Sequence, residues 1–321
     1  MTELVIEASG LRKEFHTRAG RRVAVDDLDL AVPAGGVHGF LGPNGSGKTT
    51  TIRMLLGLAH ATAGSMRLFG RPVPDELPAV IGRVGAVVES PKFSPNFTGR
   101  RNLRLLAGVI GAPPTAVDRA LETVGLSGRD RDRYKAYSLG MKQRLAIAAT
   151  LPKDPQLLIL DEPTNGLDPA GIREIREMIR GLGEQGVTVL LSSHILAEVQ
   201  QVCTSATIIG NGRLLASGRV EDLVSGTEAY LVDVPETEPA RSALVAAGLD
   251  TTVDDAGLLV ATERPAEVTR TLASAGIWLT GLTPVRRDLE SVFLELTADD
   301  ALGHITLDPD TLDPDMLGDD A

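Results

Sequence analysis

Residues 41–51 read LGPNGSGKTTT, so three glycines and a lysine stand directly before an apolar, helix-like run. The preceding residues 37–40, VHGF, are typical of a strand, which makes the glycine segment a strand-to-helix turn. Glycines let successive backbone N–H groups converge on one point without Cβ clashes. The following helix directs its positive N-terminal end toward the same point. The segment therefore predicts a cradle for phosphate.

The spacing of this stretch is that of a P-loop, G-x-x-x-x-G-K-[ST], with Gly42, Gly47, Lys48 and Thr49 at the defined positions. Lys48 would bring a mobile charge to the β- and γ-phosphates of a nucleotide. Thr49 would offer its hydroxyl to Mg²⁺, a cation that prefers oxygen ligands. The competing interpretation is a glycine-rich turn, which the strand–loop–helix context disfavours. The remaining loop residues are candidate nucleotide contacts as well: Pro43, Asn44, Gly45, Ser46 and Thr50.

An acidic pair follows a second apolar run, LLILDEP at residues 157–163. Four consecutive apolar residues favour a strand that is buried on both faces of a parallel sheet. Asp161 would then lie at the carboxyl edge, where open α/β sheets bind ligands, and would hold Mg²⁺ through its water shell. Glu162 could polarise the water that attacks the γ-phosphate. The pair is weak evidence alone and strong evidence behind a P-loop.

A third strand-to-helix join occurs in VTVLLSSHILAEV, residues 187–199. His194 lies at this join, again at a predicted carboxyl edge. His194 could contact a γ-phosphate there as a neutral or charged donor, whereas a lone histidine is more often structural.

The segment YSLGMKQRLAIA, residues 137–148, resembles the signature motif of ABC-transporter ATPases, LSGGQ followed by Lys-Gln-Arg. The variant YSxGMKQR is similar to the drug and antibiotic exporter branch that includes the daunorubicin- and bacitracin-resistance ATPases. The resemblance implies an α/β P-loop NTPase of the ABC type, with a RecA-like core and a helical subdomain, that uses ATP and Mg²⁺. It also implies a homodimer, in which Ser138 and Gly140 cap the γ-phosphate held on a second subunit.

The resemblance covers roughly residues 4–220 and adds two further nucleotide contacts. Asp168, in NGLDP, matches the interface position of the D-loop. Phe15 stands where the family has an aromatic that stacks on adenine, although a phenylalanine there could equally belong to the core. His194 matches the switch histidine. The resemblance and the motifs together give Glu162, His194 and Lys48 as catalytic candidates, and Thr49, Asp161 and Glu89 as metal candidates.

Glu89 is a departure, because the family usually has glutamine at this position. An amide donates and accepts hydrogen bonds, whereas an ionised carboxylate only accepts them. Glu89 could still contact Mg²⁺ or its water, but it adds negative charge near ATP. The resemblance further implies that the following stretch, with Phe93, Pro95 and Phe97, receives a coupling helix from a membrane subunit.

The pattern of elements predicts three regions. Residues 1–225 would form the nucleotide-binding domain, with the helical subdomain at about 90–150. Residues 226–297 would form an accessory domain, whose elements read as β-α-β-β-α-β and suggest a ferredoxin-like unit. This region ends with a final helix, DLESVFLELT, for which Asp288 is the predicted cap. The helix has an apolar stripe at Leu289, Val292, Phe293 and Leu296. Residues 298–321 contain eight aspartates and no lysine or arginine, which predicts a disordered tail.

Composition narrows the classes of partner. Cys203 is the single cysteine, so the chain forms no internal disulfide. No apolar run reaches the roughly 18 residues that span a bilayer, so a role at a membrane requires a partner. The net charge of -11 disfavours nucleic acid as a partner, because proteins that bind nucleic acid more often have a basic domain.

These observations predict the ATP-hydrolysing subunit of an ABC exporter, bound to a separate integral-membrane permease at the cytoplasmic face of the cell membrane. Its cargo would be a drug, an antibiotic or a lipid-like molecule. The alternative is a non-transport ABC ATPase that acts on ribosomes or nucleic acid. Such proteins usually carry two ATPase domains or a long coiled coil, and this chain has neither. A nucleotide sensor without turnover is a third class, which Glu162 argues against.

Overall fold

The computed structural model describes residues 3–17, 20–89, 91–225, 229–254, 257–285 and 288–301. The strands in this part of the chain are β1 Leu4–Thr17, β2 Gly20–Pro33, β3 Val37–Leu41, β4 Ala63–Leu68, β5 Arg71–Val73, β6 Val84–Val87, β7 Leu157–Asp161, β8 Thr188–Ser193, β9 Ser205–Gly210, β10 Arg213–Arg219, β11 Ala229–Asp233, β12 Asp250–Asp254, β13 Gly257–Ala261 and β14 Gly281–Val285.

The α-helices are α1 Lys48–Leu55, α2 Leu77–Val80, α3 Gly99–Val109, α4 Pro114–Thr123, α5 Leu139–Ala148, α6 Pro169–Glu184, α7 Leu196–Gln200, α8 Val220–Leu223, α9 Thr237–Ala246, α10 Pro265–Ser274 and α11 Leu289–Ala301. Short 3₁₀ turns occur at Ile81–Arg83, Tyr134–Ala136 and Leu151–Lys153.

The central sheet has the order β10-β9-β3-β8-β7-β6. The neighbours from β9 to β6 are parallel, and β10 returns antiparallel beside β9. Strands β3 and β8 are buried along their whole length, and β7 is buried up to its last residue, because both faces of this sheet are covered. The carboxyl ends of β3, β6, β7 and β8 therefore meet at one edge, and all four predicted catalytic or metal-binding segments follow them.

Two apolar cores cover the two faces of the central sheet. Alternate residues of a strand point to opposite faces, so Leu158 and Leu160 pack with the core that contains α5 and α6. Leu157 and Ile159 pack with the other core, which contains α1 and the antiparallel sheet β2-β1-β4-β5. This arrangement fixes the P-loop helix between the two sheets.

The helices α3, α4 and α5 are inserted between β6 and β7. Thr98 caps α3 by accepting a hydrogen bond from the Arg101 backbone N–H at 3.1 Å. Tyr137 leads into α5 and is buried, and burial raises its pKa to about 12. The Tyr137 hydroxyl donates to the Arg129 carbonyl at 2.9 Å, which ties the start of α5 to the preceding loop.

The C-terminal elements β11 to β14 form a separate antiparallel sheet of order β12-β13-β11-β14. The helices α9 and α10 supply Ala240, Leu244, Val268 and Leu272 to a small core with this sheet. The element order is β-α-β-β-α-β, as the sequence predicted. The predicted strand IWLTGLTPV is shorter in the structure, where β14 begins only at Gly281.

The final helix, α11, departs from the predicted domain boundaries in two ways. Leu289 and Val292 pack into the core that contains α5 and α6, where α11 contacts α7 and α8. Asp288 caps it as predicted, accepting from the Ser291 N–H at 2.8 Å, whereas Leu296 is 38% exposed. Helix α11 also extends to Ala301, four residues past the predicted start of the tail at residue 298. Residues 302–321 of that predicted tail lie outside the described residues.

Candidate nucleotide-binding and hydrolysis site

The loop between β3 and α1 has the tight geometry that its glycines permit. Gly47 has φ of 106°, and a Cβ on it would lie 2.6 Å from the Ala24 carbonyl oxygen. A Cβ on Gly42 would lie 2.3 Å from the Ile209 carbonyl oxygen. Any larger residue at either position would force the backbone apart, so the glycines are needed for this loop shape.

Lys48, the first residue of α1, folds back into the loop that precedes it. Its Nζ atom is buried and donates to the carbonyl oxygens of Gly42 at 2.7 Å and Pro43 at 3.2 Å. The same nitrogen lies 3.3 Å from Glu162 Oε1. The structure thus places the cation of the predicted cradle inside the glycine loop and beside the predicted catalytic carboxylate.

Asp161 and Glu162 leave the end of β7 in different directions. Asp161 accepts a hydrogen bond from Thr49 Oγ1 at 2.7 Å and another from Ser192 Oγ. Glu162 has a positive φ of 50°, a conformation that costs free energy in a non-glycine residue and often occurs at functional sites. Its backbone N–H donates to Ser192 Oγ at 3.0 Å, which helps to hold this turn.

His194 reaches Glu162 from the end of β8. Its Nδ1 atom lies 2.7 Å from Glu162 Oε2, so Nδ1 carries the proton and donates to the carboxylate. Glu162 is thereby held between His194 and Lys48, each on a different element. The three predicted catalytic residues are brought together in one cluster.

A cavity of about 500 Å³ extends from this cluster along the P-loop to the β1–β2 hairpin. Its volume lies in the usual range for a small-molecule site. The cavity is lined at the loop end by Asn44, Gly45, Gly47, Lys48, Thr49, Thr50 and Glu162, and at the hairpin end by Phe15, His16, Arg22 and Ala24. The phenylalanine is 41% exposed, so it lines the cavity and does not belong to the core.

Sequence reasoning missed the hairpin residues His16, Arg22 and Ala24. Arg22 lies directly across the β1–β2 ladder from Phe15. Residues that are opposite each other in an antiparallel pair share a face of the sheet. Recognition of the hairpin register would have identified Arg22 from the sequence.

Ser138 and Asp168 have the same local role at two helix starts. Ser138 Oγ accepts from the Met141 N–H at 3.2 Å, and Asp168 Oδ1 accepts from the Gly171 N–H at 3.0 Å. With Gly140 they line a second cavity of about 460 Å³, which shares no lining residue with the P-loop cavity. The structure therefore does not bring the signature residues to the P-loop within one described chain.

Glu89 is not placed beside the predicted metal-binding pair. Its side chain is 75% exposed, and Oε1 accepts a hydrogen bond from Arg53 Nη2 at 2.7 Å. In the part of the chain that the structure describes, no contact joins Glu89 to Thr49 or Asp161.

The residues of the cradle fit a triphosphate with Mg²⁺. Ser46 Oγ is buried without a hydrogen-bond partner among the described residues, so a phosphate oxygen could satisfy it. Glu162 Oε1 also has no hydrogen bond there and is paired through the Lys48 ion pair alone. The described residues contain no cluster of three or more His, Cys, Asp or Glu side chains that could hold a metal alone. Thr49 and Asp161 supply oxygen ligands only, which suits Mg²⁺ that is completed by phosphate oxygens and water.

Comparison with known proteins identifies the family. A model of the ABC transporter family matches residues 25–165. The chain is 38% identical over 301 residues to the bacitracin transport ATP-binding protein BcrA of Enterococcus faecalis, covering 92% of this chain and 96% of that protein. It is 36% identical over 313 residues to the daunorubicin resistance ATP-binding protein DrrA3 of Streptomyces coeruleorubidus, covering 94% and 98%.

A solved structure gives the same assignment. An ATP-binding subunit of an ABC transporter has a TM-score of 0.59 and 30% identity to this chain, covering 68% of this chain and 91% of that one. Within the described residues, no helix is both long and apolar enough to cross a bilayer. The P-loop, the acidic pair and the signature helix thus lie in a fold shared with transporter ATPases, and the chain belongs to the ATP-binding subunits of ABC transporters, in the branch of the bacitracin- and daunorubicin-resistance ATPases.

Proposed function

We propose that two copies of this chain bind two ATP molecules at their interface and that closure of this dimer drives export through a separate membrane permease. The observation that carries the proposal is the separation of the two cavities in one chain. The P-loop cavity holds the cluster around Lys48 and Glu162, and the signature cavity holds Ser138 and Asp168. A second copy can supply the signature residues to the first copy's nucleotide.

The helix start at Ser138 supports a phosphate contact across such an interface. The Ser138 side chain caps α5, a ten-residue helix whose first turn has no acidic residue. Gly140, in that first turn, is partly exposed and has no side chain, so its backbone can approach a ligand closely. The free N–H groups and the positive end of a helix favour an anion at this point.

We assign roles in hydrolysis by the contacts of each side chain. Thr49 and Asp161 hold Mg²⁺, which neutralises phosphate charge when it is bound. Glu162 accepts a hydrogen bond from the attacking water, and His194 orients the carboxylate through Nδ1–H. Lys48 binds the β- and γ-phosphates from inside the loop.

The cargo is proposed from the relatives. Their printed names concern bacitracin transport and daunorubicin resistance, so an antibiotic or an amphipathic, lipid-like molecule is the substrate class for this chain. Neither relative is named for ribosomes or nucleic acid, which leaves that alternative without support. The permease would hold the ATPase at the cytoplasmic face of the membrane.

The C-terminal residues 229–285 are proposed to form a ferredoxin-like accessory domain. The order β12-β13-β11-β14 places the first and third strands of the unit at the centre of the sheet, with two helices contributing to its core. Its small separate core supports a unit that packs on its own.

The test is the mass in solution of Glu162→Gln with and without Mg-ATP, measured by light scattering after gel filtration. The amide keeps the shape of the side chain but removes the proton acceptor, so we expect a stable ATP-bound dimer and a loss of turnover. Glu184→Gln changes an exposed glutamate of α6 and serves as the control, which should remain like the unchanged protein. A dimer that forms equally without ATP, or full turnover in Glu162→Gln, would contradict the proposal.

A further inference from the structure

Three carboxylates follow two neighbouring strands of the central sheet. Strands β6 and β7 are parallel and adjacent, and Val87 pairs with Leu160. Glu89 stands two residues beyond Val87, and Glu162 stands two residues beyond Leu160, after Asp161. Glu89 therefore leaves the sheet at the same edge and level as the acidic pair of the nucleotide site.

Helix α1 provides a partner for each of these acids. Thr49 donates to Asp161 at 2.7 Å, and Lys48 Nζ lies 3.3 Å from Glu162. Arg53 is four residues after Thr49, on the same face of the helix, and its Nη2 donates to Glu89 at 2.7 Å. One helix thus contacts the three acidic side chains through three successive contacts along its length.

The Arg53–Glu89 pair is exposed, so any effect on the nucleotide site comes through the negative charge that collects at this edge. A nucleotide triphosphate brings several negative charges to a place that already holds Asp161 and Glu162. The Glu89 carboxylate at the same edge adds one more. We propose that Arg53 is a positioning residue of the nucleotide site, which holds Glu89 in an ion pair and cancels its charge, so that Glu89 acts through this pair and not as a metal ligand.

The segment 91–97, which follows Glu89, is held by the helical insertion, so the Arg53–Glu89 pair also helps to link this insertion to the P-loop helix. Ser94 accepts from and donates to the buried Asn102 of α3, at 3.2 and 3.0 Å, and the Phe93 ring packs edge-on to Tyr134 at 5.2 Å. The segment 91–97 is therefore fastened to the helical insertion. The Arg53–Glu89 pair fastens Glu89, two residues before Pro91, to the P-loop helix.

The test is ATP binding by the full-length protein, measured by isothermal titration calorimetry with Mg²⁺ and with EDTA at two ionic strengths. The variants are Arg53→Gln, Glu89→Gln and the double variant. The Arg71→Gln variant is the matched control, because Arg71 forms a similarly exposed ion pair with Glu76 at 3.0 Å. Thermal melting by circular dichroism shows that each variant is folded.

We expect Arg53→Gln to weaken ATP binding about three- to fivefold at low salt, because the Glu89 carboxylate is left uncompensated. The loss should be larger for free ATP than for MgATP, which carries less negative charge, and should shrink at high salt. Glu89→Gln in the same chain should restore the affinity, and Arg71→Gln should leave it unchanged.

Three results would overturn the inference. Unchanged affinity in Arg53→Gln shows that the pair does not act on the nucleotide. If ATP binding remains weak in the double variant, Arg53 affects the nucleotide through something other than its ion pair with Glu89. Tighter MgATP binding in Arg53→Gln, with free ATP unaffected, makes Glu89 a metal ligand. Because the inference rests on the proposed nucleotide site, absence of ATP binding in the unchanged protein would refute that site itself, which distinguishes the two failures.

Discussion

His38 predicts how this protein loses stability in mild acid. The residue lies in β3, directly before the P-loop, and its side chain is 3% exposed. Its Nδ1 atom lies 2.8 Å from Ser205 Oγ, and Nε2 lies 2.9 Å from Thr207 Oγ1. Burial lowers the pKa of His38 from 6.5 to about 4, because desolvation disfavours the charged imidazolium.

The sign and size of the effect follow from the two pKa values. The unfolded chain takes up a proton at His38 as the pH falls below 6.5, whereas the folded protein does so only near pH 4. Stability is therefore complete above pH 6.5 and falls as the pH drops toward 4, by about 1.4 kcal/mol per pH unit in the middle of this window. Between pH 7 and pH 5 the loss amounts to about 2 kcal/mol.

The assay is urea unfolding followed by far-UV circular dichroism at pH 7, 6 and 5. His38→Gln keeps a hydrogen-bonding side chain without a titrating group, so the loss between pH 7 and pH 5 should be about 2 kcal/mol smaller than in the unchanged protein. His60→Gln, at an exposed position, is the control and should keep the original pH dependence. An identical pH dependence in His38→Gln would refute the reasoning. The window avoids lower pH, where Glu14 and Asp26, whose pKa values are lowered by arginine partners, also titrate.

Three further variants test contacts around the site. Gly99→Ala would place a Cβ 2.1 Å from the Tyr137 hydroxyl, so we expect a loss of about 1–3 kcal/mol in thermal unfolding and weaker ATPase activity, and full stability would contradict the close contact. Ser138→Arg should abolish ATP-dependent dimerisation while ATP affinity, measured by calorimetry, changes less than about twofold; equal loss of both would count against a site shared between copies. Gln200→Ala removes the acceptor of the Leu289 N–H at 3.2 Å, so the free energy of unfolding should fall by about 1 kcal/mol, and protease cleavage of α11 should accelerate.

The sequence predicted the positions of the site residues where a short motif alone determines the local backbone. The P-loop needs only a strand, glycines and a helix start, and Lys48 and Thr49 are the first residues of α1 as expected. Asp161 ends one buried parallel strand and His194 follows another. The apolar runs in the sequence were therefore enough to place both residues at the same edge of the sheet. The role of each remains a prediction, because these roles require the nucleotide.

The sequence could not predict contacts that depend on how distant segments pack. Arg53 and Glu89 are 36 residues apart, and nothing in either local pattern pairs them. Helix α11 has an amphipathic stripe that indicates a buried face but not which core receives it. Its place against α7 follows from Leu289 and Val292, which enter the core of the ATPase region. Order along the chain groups α11 with the C-terminal elements, whereas its buried residues join the core of the preceding region.

The contacts of α1 imply that ATP binding exchanges partners within the site. Lys48 is held by the Gly42 and Pro43 carbonyls and lies next to Glu162. A γ-phosphate that bound Lys48 would take this cation from Glu162 and leave the carboxylate with its His194 contact. The carboxylate proposed to polarise the attacking water would thus be released from Lys48 only when the phosphate that the water attacks has arrived. Such an order would tie the release of Glu162 to the presence of the phosphate and would otherwise keep the carboxylate paired with Lys48.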